Sequence, residues 1–173
     1  LLSQGFGVKF LPDNFLDTPP YTGALEELGV EVLYGRSMQG EIWDWIEDHA
    51  PDLHLVYLNR PHIATKYVDF IKERTGLKVV YYGHDLHFLR ERREYDLTGD
   101  VEKKRESEYW KSMELTLMQK VDMSYYPSQI EVDYLHTLDE SLAVKAITAY
   151  VYEDLKEREY VPDAREGVLF VGG

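Results

Sequence analysis

Apolar residues along this chain fall into short continuous runs, separated by stretches in which apolar positions recur at helical spacing. Short apolar runs bounded by turn-forming residues are typical of parallel strands that are covered on both faces. The pattern predicts seven strands, at residues 8–11, 30–34, 53–58, 77–82, 123–126, 143–147 and 168–171.

The intervening stretches predict helices, because their apolar residues repeat every three or four positions. Gly29 and Gly76 follow two of them as C-terminal caps, and Pro51 follows a third. Ser128 and Glu131 have the spacing of a capping box. The predicted helices cover residues 21–28, 38–49, 63–74 and 101–120, the last with Trp110, Met113 and Leu117 on its buried face, and a further helix runs through Ile130, Tyr134 and Leu138.

The alternation of strand and helix with short links predicts the fold class and the domain organisation. We expect an α/β domain with a Rossmann-like, doubly wound, mostly parallel sheet and helices on both faces, over residues 1–150. The charged stretch at residues 151–166 predicts a linker, and residues 167–173 predict the first strand and glycine loop of a second domain.

Composition narrows the classes of function. The chain has 173 residues, a hydrophobic fraction of 44% and a net charge of −13, which disfavours binding to nucleic acid or to an anionic membrane surface. It has no cysteine, so disulfides, thiolate nucleophiles and cysteine zinc sites are excluded. Because neither a long apolar run nor a secretory leader is visible, we expect a cytoplasmic protein.

The richest group of titratable side chains follows the fourth predicted strand. In doubly wound sheets, ligands bind beyond the carboxyl ends of the strands. Gly83 lets the chain turn there, and His84 with Asp85 then lies at the edge of the sheet, where a carboxylate can orient an imidazole. His87 and Arg90 continue at helical spacing as candidate ligand contacts, whereas Arg92 is expected to be a solvated surface charge.

Other strand ends supply further candidates, each with a structural alternative. Asn59 and Arg60 either reach the same cleft or form the start of a helix at Pro61. Asp13 and Asn14 either contact a ligand or turn the chain, and Ser128 is first a helix cap.

Several motif-based functions do not fit the sequence. Gly5 and Gly7 begin a dinucleotide-binding fingerprint, but Phe10 stands where its third glycine is required. Neither a Walker A motif nor the Gly-x-Ser-x-Gly elbow of a serine hydrolase occurs. His84 and His87 lack an obvious third metal ligand, so no metal site is expected.

Residues 81–91, with the sequence YYGHDLHFLRE, resemble the strand and His-Asp segment of family 4 glycosyltransferases, which have the GT-B fold. Residues 167–173 resemble the first strand and glycine loop of the second domain in that family. Glu114, Asp122 and residues 126–131 resemble its succession of helix, strand, serine and helix. The resemblance extends over most of the chain.

The resemblance implies retaining transfer of a sugar from a nucleotide-sugar donor to a hydroxyl of a glycan or lipid-linked acceptor, with neither a metal nor another cofactor. His84 matches the family's histidine near the reacting sugar, and Asp85 would orient it or meet the acceptor. Gly172 and Gly173 would let the backbone approach the donor phosphates. The remaining candidates, Gly83, His87, Arg90, Asn59, Arg60, Asp13, Asn14 and Ser128, would bind substrate on the acceptor side.

The same resemblance implies that a first strand and its glycine-containing loop are missing before Leu1. We therefore expect the chain to be inactive alone, and its open sheet edge to pair with a second copy as a possible homodimer. Two other functions remain open: a non-catalytic binding domain of the same fold, and a flavodoxin-like signalling or nucleotide-binding domain.

Overall fold

The computed structural model describes residues 1–148, and these form an α/β fold. The described strands are all parallel to their neighbours. They are β1 (Lys9–Phe10), β2 (Glu31–Val32), β3 (Leu55–Asn59), β4 (Lys78–Tyr82), β5 (Met123–Tyr126) and β6 (Val144–Ala146).

Helices connect these strands and begin and end where the sequence supplies the appropriate residues. Pro61 occupies the first turn of the third helix, and the Asp100 side chain accepts a hydrogen bond from the backbone N–H of Glu102 at the start of the fifth. The helices are α1 (Tyr21–Glu27), α2 (Arg36–His49), α3 (Pro61–Arg74), α4 (His87–Thr98), α5 (Val101–Lys120) and α6 (Gln129–Leu138), with short 3-10 turns at Leu2–Gln4 and Ala50–Asp52. None of these helices has both the length and the apolar character needed to cross a bilayer.

The main sheet has the strand order β3-β4-β5-β6, and helices flank it. This arrangement confirms the predicted Rossmann-like α/β class. The strand at Met123–Tyr126 and the helix at Val101–Lys120 coincide with their predicted bounds. The predicted linker at residues 151–166, the strand at 168–171 and the start of a second domain at 167–173 lie outside the described residues.

The core lies between one face of the main sheet and the helices. Val79, Tyr81 and Tyr126 on the sheet are fully buried, as is Leu117 on α5. Strand side chains on the opposite face of the sheet are more exposed, and that of Tyr57 is 46% exposed. The helix-side core is completed by Ala64, Val68, Ile71, Met118, Val132 and Leu135.

α6 packs on the core with residues other than the apolar ones that indicated the helix. Ile130 is 77% exposed, and Tyr134 and Leu138 are exposed as well, whereas Val132 and Leu135 are buried. The prediction followed one of two apolar stripes on this helix, and the tertiary fold buries the other.

Strands β1 and β2 form a separate two-stranded sheet, and β1 does not pair with β3. β1 and β3 run in the same direction, because their amino ends lie together and their carboxyl ends lie together. Residues 5–9 and 52–54 line one depression of about 480 Å³ at the amino ends. Asp13, just after β1, is bonded to Lys66 of α3 beyond the carboxyl end of β3. Within residues 1–148, β1 pairs only with β2 and β3 pairs only with β4, and the first strand that is expected before Leu1 stays a prediction.

Candidate functional site

The register of the main sheet brings the ends of its strands to one side, here called the carboxyl edge. Asn59 pairs with Tyr82 across β3 and β4, and Tyr82 pairs with Tyr125 across β4 and β5. The residues that follow each strand therefore emerge side by side. These include the predicted site residues Asn59, Arg60, Gly83, His84, Asp85, His87 and Ser128.

Residues 83–86 connect β4 to α4 and are here called the rim loop. Its first residue, Gly83, donates its backbone N–H to the Tyr125 carbonyl at 2.9 Å. A Cβ at Gly83 would lie 2.3 Å from Cε1 and Cζ of Tyr126. Gly83 is not in the left-handed region of backbone space. Glycine is therefore required here by the close approach of a buried ring, and not by the sharp turn that the sequence suggested.

Two carboxylates from distant parts of the chain hold the rim loop and the start of α4. Glu131 of α6 accepts a hydrogen bond from the Leu86 N–H at 3.4 Å. Glu114 of α5, which is fully buried, accepts from the N–H groups of His87 at 3.1 Å and Phe88 at 3.2 Å. The first N–H groups of a helix have no intrahelical partner, and negative charge is favourable there. Glu114 therefore caps α4 from another helix.

The predicted capping box at the start of α6 is only half formed. The Ser128 hydroxyl accepts from the Glu131 N–H at 3.3 Å, so Ser128 is confirmed as a helix cap. The Glu131 carboxylate does not return to Ser128 and instead bonds the rim loop. Ser128 and Glu131, predicted to cap one helix, therefore also connect α6 to the rim loop.

His84 and Asp85 lie beside each other in sequence but have different surroundings. The exposed His84 ring meets the edge of Tyr82, with ring centroids 5.1 Å apart, and makes no hydrogen bond to the described residues. Asp85 accepts from Arg90 Nη1 at 2.7 Å, and both side chains are substantially exposed. The structure therefore pairs Asp85 with Arg90, and not with His84 as the orienting role would require.

Arg90 belongs to a chain of charges that runs from Asp85 through the buried Glu91 of α4 to Lys103 of α5. Its Nε lies 3.2 Å from Glu91, whose carboxylate also accepts from Lys103 of α5 at 2.9 Å. The Lys103 bond and, after it, the Arg90 bond hold the pKa of Glu91 below its usual range, against the opposing effect of burial. Arg92 pairs with Asp96 on the exposed face, as expected for a surface charge.

His87 has the most constrained imidazole at the carboxyl edge. Its Nδ1 lies 2.9 Å from Glu114 Oε1, and its ring lies 4.7 Å from that of Trp110 at an interplanar angle of 31°. His62, at the start of α3, meets the edge of the same Trp110 ring. The His87 side chain remains 13% exposed.

The candidates near β1 and β3 have mainly structural partners. Asp13 accepts from Lys66 Nζ at 2.6 Å and from the Tyr67 hydroxyl at 3.3 Å, and burial followed by the Asp13 charge raises the pKa of Tyr67 to about 12. Asn14 turns the chain, since its side chain accepts from the Leu16 N–H at 3.1 Å. Arg60 is the N-cap of α3, with an exposed side chain and a φ of 61°. A positive φ at a residue with a side chain is strained, and such residues concentrate at ligand sites.

The floor under the rim loop is polar but poorly satisfied. The hydroxyls of Tyr81 and Tyr126 are buried and have no hydrogen-bond partner in the described residues. Burial raises the pKa of both phenols above the usual value, and the nearby Glu114 charge adds to this effect. Burial also raises the pKa of Glu131, with further contributions from the charges of Asp85 and Glu114. Negative charge is therefore concentrated below and beside the loop.

Glu114, Glu131 and Trp110 are parts of the site that sequence reasoning did not place there. Trp110 was expected only on the buried face of its helix. One signal was available: Glu114 shares a helix face with Trp110 and Leu117, so an acid stands at a position where the helical pattern expects an apolar residue. The sequence gives no indication of which N–H groups that acid would meet.

Residues 83–90 line neither of the two surface depressions found within residues 1–148. These depressions, of about 510 and 480 Å³, lie at α1 and at the amino ends of β1 and β3. Within residues 1–148 no three His, Asp or Glu side chains are grouped closely enough to hold a metal ion. Gly172 and Gly173, the predicted donor-phosphate residues, lie outside the described residues.

Comparison with known proteins adds no assignment: no protein-family model, no curated protein and no solved structure matches the chain.

Proposed function

We propose that this chain forms the acceptor-side domain of a GT-B glycosyltransferase that transfers a sugar from a nucleotide-sugar donor to an acceptor hydroxyl. The observation that carries the proposal is the construction of the carboxyl edge. There, His84 and Asp85 lie solvent-accessible on a loop that Glu131 bonds, directly before a helix start that the buried Glu114 caps. A ligand site beyond the carboxyl ends of parallel strands is the general expectation for this fold.

The chemistry of the edge suits a polyhydroxylated ligand. Imidazole, carboxylate and guanidinium groups offer both donors and acceptors to hydroxyls, and His84, Asp85 and Arg90 are all solvent-accessible. His84 would hydrogen-bond the donor sugar or stabilise charge in an oxocarbenium-like transition state. Asp85 and Arg90 would act as a pair that opens to meet the acceptor. Asn59, Arg60 and Ser128 emerge beside them and would extend the acceptor surface.

One observation favours the second candidate, a binding domain without catalysis. Asp85 is engaged by Arg90, so His84 has no carboxylate to orient it. A catalytic histidine usually has an orienting partner, whereas a histidine that only contacts ligand needs none. In the transferase, the second domain or the substrate would supply the missing partner.

Turnover of the full-length protein with UDP-glucose, UDP-galactose and GDP-mannose separates the two candidates. For His84→Ala we expect a loss of about 10²-fold or more in kcat, as when one transition-state hydrogen bond is removed. Arg92→Ala is the matched control, because Arg92 is exposed on α4 and its ion pair within residues 1–148 is with Asp96. Absence of turnover with all three donors would favour the binding domain. Equal turnover of His84→Ala and the parent protein would remove the catalytic role of His84.

A further inference from the structure

His87 and Glu114 form a dyad at the carboxyl edge whose geometry determines where the imidazole proton lies. Backbone N–H groups only donate, so Glu114 acts as an acceptor towards both His87 N and Phe88 N. Its Oε1 takes the His87 N–H at 3.1 Å and also lies 2.9 Å from His87 Nδ1. Because Oε1 already accepts the His87 N–H, the geometry favours Nδ1 as the donor of this third bond.

The ring of His87 is also fixed against rotation. Trp110 covers it at 4.7 Å, and the peptide N–H of the same residue is bonded to the same carboxylate oxygen. Ring and backbone of His87 are thus fastened to one buried side chain. His84 differs on every count, since its ring is exposed and bonds no described residue.

We infer that Glu114 is a positioning residue that fixes the Nδ1–H tautomer of His87, so that Nε2 is kept as a hydrogen-bond acceptor for a hydroxyl of the substrate. Which nitrogen of a histidine carries the proton is set by the bond that the other nitrogen makes. Nε2 bonds no group in residues 1–148, and part of the side chain is open to solvent. The substrate contact rests on the proposed function, whereas the tautomer does not.

The inference gives His87 a more specific task than general substrate contact. A nitrogen fixed as an acceptor selects ligands that present a hydroxyl or another donor at that point, and it rejects a bare ether or carbonyl oxygen. A site that is organised before the ligand arrives loses less entropy on binding. Glu114 acts only through His87 and α4, because it is completely buried.

The tautomer can be read directly by two-bond ¹H–¹⁵N correlation spectra of the whole 173-residue chain, labelled with ¹⁵N-histidine, at a pH where the imidazoles are neutral. His87→Gln and His84→Gln assign the two sets of signals. We expect the Nδ1–H pattern for His87, and for His84 either the Nε2–H pattern or an exchanging mixture. An Nε2–H pattern for His87, or a mixture like that of His84, would overturn the inference.

Glu114→Met tests the role of the carboxylate, since methionine matches glutamate in length and cannot accept these bonds. We expect the His87 pattern to shift towards Nε2–H, and an unchanged Nδ1–H pattern in the folded variant would show that Glu114 does not position the ring. If the variant does not fold, the spectrum of the parent chain decides alone.

A titration with methyl α-D-hexopyranosides of gluco, galacto and manno configuration then tests the contact with sugar. A shift of His87 Nε2 is expected. An Nδ1–H ring that no hexoside perturbs would count against the proposed function and leave the positioning role intact.

Discussion

The two ends of the main sheet differ in how completely their polar groups are hydrogen-bonded. At the amino end, Asp122 accepts from Lys72 at 2.8 Å, from Lys78 at 3.0 Å and from the Val79 N–H at 2.8 Å. One carboxylate thereby joins α3, β4 and the start of β5, and its bonds are satisfied. At the carboxyl edge, two buried hydroxyls have no partner, Arg60 has a strained backbone, and His84 bonds nothing in the described residues.

This difference indicates which end of the sheet contributes most to stability and which end is available to bind a ligand. Sites that bind or react often violate local rules that the rest of a fold obeys. The amino end follows those rules and should respond to mutation through stability. At the rim loop, we expect substitutions in the buried floor to change the free energy of unfolding. Substitutions of its exposed side chains should instead change ligand binding. The following changes test that division, beginning with the largest expected effect on folding.

Gly83→Ala should be the most damaging change, because it forces a methyl group against the Tyr126 ring at 2.3 Å. Overpacking of a core typically costs about 1–3 kcal/mol, and we expect a loss near the upper value in the free energy of unfolding. Urea denaturation measures it. Gly40→Ala is the matched control, because Gly40 lies in α2 with open space around its Cα and should gain up to about 1 kcal/mol. Equal stability of the two variants would mean that the floor of the loop is not tightly packed.

Asp122→Asn should destabilise the amino end by about 1–2 kcal/mol at neutral pH, as expected for charge-assisted bonds that are lost. Although burial acts in the opposite direction, the bonds from Lys72, Val79 and Lys78 hold the pKa of Asp122 below its usual range. Because the folded-state pKa is lowered, this contribution is present above the unfolded value of about 4 and is lost as the pH falls.

The difference between Asp122→Asn and the parent chain should therefore shrink in urea titrations carried out below about pH 4. Asp69→Asn is the control for a carboxylate in an exposed pair, that with Lys120, and should cost little at either pH. A constant difference across the pH range would contradict the assigned bonds of Asp122.

Tyr126→Phe should stabilise the chain, since it removes a buried hydroxyl that has no partner. An unsatisfied buried polar group costs about 1–3 kcal/mol, so a gain of about 1 kcal/mol in the free energy of unfolding is expected. Tyr125→Phe serves as control, because its side chain is only partly buried. A clear loss of stability in Tyr126→Phe would reveal a bond of this hydroxyl, to Tyr81 or to an ordered water, that supports the floor.

Asp85→Asn and Arg90→Gln, alone and together, should have the smallest effect on folding. Exposed ion pairs typically contribute about 0.2–1 kcal/mol, so their coupling in a double-mutant cycle should fall in that range. If the pair opens to meet an acceptor, each single variant should weaken binding of methyl hexosides more than it weakens folding. A coupling well above that range would identify the pair as a structural element of the loop.

Local pattern was sufficient to predict most of the fold. Short apolar runs located β3 to β6, and apolar residues at helical spacing located α3 and α5, because these signals depend on neighbours within a few positions. The packed face of α6 could not be read, since Ile130 and Leu135 are both apolar and only the fold decides which is buried.

The support of the candidate site was harder to predict than its exposed residues. The position of His84 and Asp85 at a strand end follows from the strand prediction alone. Glu114 meets His87 from 27 residues away, and Glu131 meets Leu86 from 45 residues away. Such contacts depend on how α5 and α6 cross the sheet, and no local spacing encodes that.

The most direct test of the account compares the two ends of the sheet in one experiment. ¹H–¹⁵N correlation spectra of the 173-residue chain are recorded during titration with methyl hexosides and with UDP-glucose. We predict shifts of the backbone amides of residues 83–88, with smaller shifts at Asn59 and Arg60, and none at Lys72, Lys78 or Asp122. Shifts confined to the Asp122 end, or saturating concentrations that leave residues 83–88 unmoved, would contradict a sugar-binding carboxyl edge.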